Sequence, residues 1–133
     1  MRLLLDTCAF LWALQEPQRL SRPARRALEQ AENDVVVSVV SFWEISIKSS
    51  LGKLPLEGGS PANMPSYATD AGFDILPLDP DTAATSSRLT RLPHHRDPFD
   101  RMLVWTALRH DLHLVSRDRM MADHTSEGLR ICW

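Results

Sequence analysis

The run Val35-Val36-Val37-Ser38-Val39-Val40 constrains the fold of this chain more than any other stretch. It is β-branched almost throughout, the composition of a pleated strand. Leu3-Leu4-Leu5 is a shorter apolar run that ends in Asp6, and its length suits a buried strand in a parallel sheet. Phe73 to Leu78 and Leu112 to Ser116 read as two further strands, and Leu129 to Trp133 as a last short one. Between these runs the pattern predicts helices over Thr7–Gln15, Pro23–Ala31, Ser41–Leu51, Asn63–Ala71, Pro80–Thr90 and Pro98–His110. Such alternation predicts an α/β protein: a three-layer α/β/α sandwich around a central, mostly parallel sheet. The length of 133 residues is enough for one domain with a real core, spanning 1–133.

The bulk chemistry excludes several classes. No apolar run reaches the roughly 18 residues of a membrane span. The apolar N-terminal run meets Asp6 too soon for a signal peptide, so a cytoplasmic location is expected. Cys8 and Cys132 form neither a disulfide framework nor a zinc pattern, and each reads as a buried thiol. The net charge of −2 argues against a generally basic nucleic-acid coat. It leaves room for a nucleic-acid enzyme with an acidic centre and a local basic rim. No Gly-rich phosphate loop and no G-x-S-x-G elbow is present.

The most patterned polar stretch is His94-His95-Arg96-Asp97-Pro98-Phe99-Asp100-Arg101-Met102-Leu103. Asp97 stands at a helix N-cap position, and Pro98 follows where its missing N–H costs nothing. Asp100 is then the third helical residue, near the positive end of the helix dipole. His94 and His95 read as exposed loop residues, with contact to a phosphate or a leaving oxygen as the alternative.

Three more acids fall at equivalent places. Asp6 ends the first strand and also fits as the cap of the next helix. Glu44 follows the central strand, although Ser41-Phe42-Trp43-Glu44 also fits a capping box. Asp118 follows the strand that ends at Ser116, and Met120 and Met121 beyond it read as gap-filling core. If the strands are neighbours, Asp6, Glu44, Asp100 and Asp118 converge. Clustered carboxylates cannot all stay ionised without compensation, and a hard divalent cation supplies it. Two such ions about 4 Å apart could clamp the attacking and leaving oxygens of a phosphodiester.

Four segments carry a resemblance to a known family. They are Leu4-Leu5-Asp6-Thr7, Ser41-Phe42-Trp43-Glu44-Ile45-Ser46-Ile47-Lys48, His95 to Leu103, and Leu114-Val115-Ser116-Arg117-Asp118. In this order they resemble PIN-domain ribonucleases, specifically the VapC-type toxins of bacterial toxin–antitoxin pairs. Asp-Pro-Phe-Asp-Arg is the most specific piece. The resemblance implies a Mg2+- or Mn2+-dependent ribonuclease in which Asp6, Glu44, Asp100 and Asp118 form the catalytic set. Asp6 and Asp100 would bind metal directly, with Glu44 and Asp118 acting through water. Asp97 matches a recurrent acid, read as a cap with a metal role as the alternative. Thr7 and Ser116 would support the acids by hydrogen bonds. The RNA rim would come from Lys48, Arg96, Arg101 and Arg117. Hydrolysis leaving 3′-hydroxyl and 5′-phosphate ends, a homodimer and a small cognate antitoxin are also implied, with the helix Phe10 to Leu14 as a candidate wall for an antitoxin groove. One departure is Asp118-Arg119-Met120-Met121, where many relatives place a Phe soon after the acid; this touches packing. A non-catalytic binding module is the competing reading. A phosphatase of the HAD type is a weaker one, because Asp6-Thr7-Cys8 lacks its second acid.

Overall fold

Five strands make one sheet: β1 (Arg2–Leu5), β2 (Asp34–Ser38), β3 (Asp74–Leu76), β4 (His113–Val115) and β5 (Arg130–Cys132). The computed structural model describes residues 1–133. The spatial order is β3-β2-β1-β4-β5, and every pairing is parallel. Register places Leu5 beside Val37 on one side and Val115 on the other. All five strands therefore end at the same edge, and β1 lies at the centre. The helices are α1 (Thr7–Gln15), α2 (Arg22–Glu29), α3 (Val39–Ser50), α4 (Met64–Asp70), α5 (Pro80–Thr85), α6 (Pro98–Arg109) and α7 (Arg119–Ala122).

The sheet is covered on both faces, which is why its strands are nearly uniformly apolar. Leu3, Leu5, Val35, Val37 and Val115 pack one way, against Phe10 of α1, Ala24 of α2, Ile45 of α3 and Met64 of α4. Leu4, Val36 and Leu114 pack the other way, against Leu103, Val104 and Ala107 of α6 and Met121 of α7. Successive strand residues alternate between these two cores, as the pleat requires. Burying a Leu, Val or Phe here contributes about 1.5–3 kcal/mol each. The α/β/α sandwich read from the alternation is the architecture observed, with seven helices around the sheet.

Several boundaries differ from the sequence reading. β2 stops at Ser38, and the helix starts at Val39 rather than after Ser41. The Ser38 hydroxyl accepts from the Val40 amide at 3.1 Å and turns the chain early. Val40 is then buried in the second core, so burial overrides its strand preference. The helix expected over Pro80–Thr90 breaks after Thr85 into a 3₁₀ turn, Ser86–Arg88. Met121 is core, but Met120 is 45% exposed and is not. Helix α6 ends at Arg109, and the chain passes through Asp111 at φ 56, a conformation that Asp tolerates better than most residues.

Candidate active site

The carboxyl edge of the sheet carries the acids because strands end there and helices begin there. Asp6 leaves β1 and caps α1; its Oδ1 accepts from the Ala9 amide at 2.7 Å. Asp118 follows β4 and caps α7, with Oδ1 accepting from the Met120 amide at 2.9 Å. Asp97 caps α6, its Oδ1 accepting from the amides of Phe99 (2.9 Å) and Asp100 (3.1 Å). Asp100 projects from the first turn of that helix. Glu44 sits in the second turn of α3 and not at its start, so the capping-box reading is overturned by the early start of that helix.

Asp6, Glu44, Asp100 and Asp118 all line one cavity of about 360 Å³. Lys48 and Arg117 are the cations in its lining, and Thr7, Cys8, Trp12 and Met121 complete it. Glu44 is held hard in place. The Thr7 hydroxyl donates to its Oε1 at 2.6 Å, and Lys48 pairs with its Oε2. The hydroxyls of Thr7 and Ser41 lie 3.0 Å apart, both buried. Lys48 also reaches Asp97 Oδ2 at 3.3 Å, and its ammonium lies 5.6 Å from the centre of the Phe99 ring. Ser116 is also buried, and its Oγ accepts from the Asp118 amide at 3.0 Å.

The electrostatics are unbalanced. Burial pushes Asp6 up to about 6, against the pull of its bonds to Ser116 and Ala9, and the charges of Asp118 and Glu44 add to the rise. Asp100 rises to about 7, first by burial and then by repulsion from Asp97, Glu44, Asp118 and Asp6. Lys48 is raised as well: desolvation opposes this, but Glu44 and Asp97 outweigh it. One ammonium and one guanidinium face four acids in the cavity and Asp97 beside it.

Every donor offered is a hard oxygen, the set that magnesium and manganese prefer. Oxygens of Glu44, Asp97 and Asp100 lie within 4.8 Å of one another, close enough to share one ion. Asp6 and Asp118 stand outside that tight trio while lining the same cavity. The residues fit a divalent cation, and the acids with raised pKa values are the ones such an ion would return to the charged state.

The remaining candidates divide. Arg96 and Arg101 do not reach the acidic cavity; they line a different one. Arg101 donates to the carbonyls of Thr90 (3.0 Å) and Leu89 (2.9 Å), and Arg96 Nε donates to Pro93 at 3.0 Å. His94 is exposed as expected, but His95 is 2% exposed and is not a loop-surface residue. The reason is a bond unreadable from spacing: its Nδ1 lies 2.8 Å from His124 Nε2. Cys8 is exposed at the rim and not buried. Its thiol is pushed up to about 11 by desolvation and by Asp6, Glu44 and Asp100. Trp12 was missed as a lining residue. It stands in the helix read as all-apolar, and its ring packs 6.0 Å from that of Trp133, with Arg19 over it at 4.8 Å.

Residues 3–126 match the model of the PIN domain. The chain belongs to the PIN-domain family. Within it the likeness is to VapC proteins. Ribonuclease VapC22 of Mycobacterium tuberculosis is 30% identical over 122 residues, covering 91% of this chain and 90% of that protein. The VapBC2 structure from Rickettsia felis, solved with a promoter DNA fragment, shares the fold at TM-score 0.67 and 12% identity, covering 98% of this chain and 97% of its own. DNA-bound VapBC from Salmonella typhimurium matches at TM-score 0.67 and 16% identity, covering 98% and 96%.

Proposed function

We propose that this chain is a divalent-metal-dependent endoribonuclease and the toxin of a VapBC-type toxin–antitoxin pair. The observation that carries the reading is the convergence of Asp6, Glu44, Asp100 and Asp118, from four separate segments, on one cavity with too few cations to neutralise them. The PIN family match and the ribonuclease relative support it. The VapBC structures support an antitoxin partner. A homodimer acting in the cytoplasm completes the proposal.

Asp6 and Asp100 would hold the ion directly, Glu44 and Asp118 would act through water, and Asp97 is the alternative ligand. A bound Mg2+ or Mn2+ would supply charge neutralisation and Lewis acidity at the scissile phosphate. The chain's own residues do the rest. Thr7 and Lys48 fix the Glu44 carboxylate, which leaves its remaining lone pairs to orient the attacking water. Ser116, just past β4, supports the charged form of Asp6. Lys48 and Arg117 attract the RNA backbone to an otherwise repulsive acidic mouth. Water adds to phosphorus, the P–O3′ bond breaks, and the products carry 3′-hydroxyl and 5′-phosphate ends. Trp12 offers an antitoxin segment an aromatic wall beside the acids.

The test is incubation of purified, antitoxin-free protein with total bacterial RNA in Mg2+, Mn2+ or EDTA, with Asp6→Asn alongside and new ends mapped by sequencing. Discrete 5′-phosphate ends that need both metal and Asp6 are expected. RNA bound by both proteins but cut by neither would replace the nuclease reading with a binding module.

A further inference from the structure

A second cavity, of about 680 Å³, opens against a different face of the start of α6. Asp100 faces the acidic cavity, whereas Pro98, Arg101 and Met102 line this one. Three arginines line it, Arg91, Arg96 and Arg101. None of the three has a carboxylate within salt-bridge distance. Ser86 and Ser87 add two hydroxyls. Arginines without carboxylate partners around a concave surface, with hydroxyl donors beside them, suit the planar, multidentate binding of a phosphate.

The wall of the cavity is rigid as well as basic. His95 lines it and is 2% exposed. Its Nδ1 is engaged by His124, and His124 Nδ1 lies 2.5 Å from Glu127 Oε2. Glu127 Oε1 in turn accepts from the Thr90 amide at 3.1 Å. This chain of bonds fixes the His95 ring in the cavity wall. Its Nε2 is buried and has no hydrogen-bond partner in the protein. A buried polar atom without a partner costs about 1–3 kcal/mol. A histidine held in one orientation thus backs a wall lined by three arginines that have no carboxylate partner.

We propose that this cavity binds a backbone phosphate of the RNA at a nucleotide other than the one cut, so that one strand is gripped on both sides of the α6 start. The inference rests on the ribonuclease reading and adds a subsite to it. The shared chemistry is a phosphate group, and a free phosphate is the other possible source.

The test compares the unmodified protein with an Arg91→Gln/Arg96→Gln double variant, both side chains being exposed and outside either core. An Arg25→Gln/Arg26→Gln variant on α2 removes equal charge elsewhere. Binding of a fluorescent single-stranded RNA is measured in EDTA across a salt series. Losing one phosphate contact makes the slope of log affinity against log salt shallower by about 0.7. The pocket variant is expected to show that change and about tenfold weaker binding at low salt, with the α2 variant keeping the parent slope. In parallel, inorganic phosphate is titrated while the imidazole NMR signals of His95 and His124 are followed; shifts in the parent that vanish in the pocket variant are expected. Phosphate-induced shifts with an unchanged RNA slope would overturn the RNA subsite in favour of a free-phosphate site. Neither effect would overturn the pocket altogether. Failure of the ribonuclease reading shows separately, as absence of metal-dependent cleavage by the unmodified protein.

Discussion

Two cavities of opposite charge share the start of α6, and they handle that charge differently. In the smaller one, carboxylates crowd together under burial, and Asp6 and Asp100 are driven up to about 6 and about 7. In the larger one, Arg96 and Arg101 already donate to backbone carbonyls and have no carboxylate partner. Crowded acids raise the energy of the folded protein until a cation arrives. Arginines leaning on carbonyl dipoles are nearly content without a ligand. Cation binding at the first site should therefore be coupled to stability, while anion binding at the second should be weaker and governed by salt.

The largest expected effect is on turnover. Asp6→Asn or Asp100→Asn should lower metal-dependent RNA cleavage by about 10³-fold, several kcal/mol of lost transition-state stabilisation. Arg91→Gln should lower it only a few-fold in the same initial-rate assay. Comparable losses for the two kinds of variant would erase the distinction between the cavities.

A pH titration of stability comes next. Asp6 and Asp100 bind protons more tightly folded than unfolded, so between their ordinary range and about pH 7 the folded state holds more protons. Stability must then fall as pH rises through that window. In EDTA the protein should lose about 2 kcal/mol between pH 5 and pH 8, or several degrees in Tm. Mg2+ should restore most of this at pH 8, and Asp100→Asn should flatten the EDTA curve. A Tm that climbs from pH 5 to pH 8 in EDTA would contradict the crowding argument.

His124→Ala probes the opposite cavity. It strips the partner from His95 Nδ1 and from Glu127 Oε2, and should cost about 1–3 kcal/mol in denaturant unfolding. Mg2+ affinity by calorimetry should not move, since neither ring lines the acidic cavity. The smallest effect is expected for Lys48→Gln. Removing the cation that spans Glu44 and Asp97 should tighten Mg2+ binding about fivefold, an interaction of about 1 kcal/mol near the surface. Weaker Mg2+ binding by that variant would mean that Lys48 organises the ligands more than it competes with the ion.

The strands and the acidic edge were legible in the sequence for a simple reason. A run such as Leu3-Leu4-Leu5-Asp6 states both the burial and the point where it ends. The β2–α3 boundary was not legible, because Val39 and Val40 favour strands and only the Ser38 hydroxyl and the second core turn them helical. That shift moved Glu44 from the third helical position to the second turn, where Thr7, 37 residues away in sequence, meets it. The His95–His124 pair spans 29 residues and carries no spacing signal. Asp97 was open between a cap and a ligand; its Oδ1 does the first, and its Oδ2 is turned towards Lys48 and Asp100.

Asp6, Asp97 and Asp118 each cap a helix through one carboxylate oxygen, leaving the other outside the cap. The rotational freedom of these three side chains is thus given up when the helices form, and an arriving cation meets carboxylates that are already aimed. An alanine at any of them would remove a helix cap together with a ligand, so loss of activity would be mixed with loss of about 1 kcal/mol of stability. Asparagine keeps the capping oxygen and discards only the charge, which makes it the substitution that separates what the fold needs from what the chemistry needs.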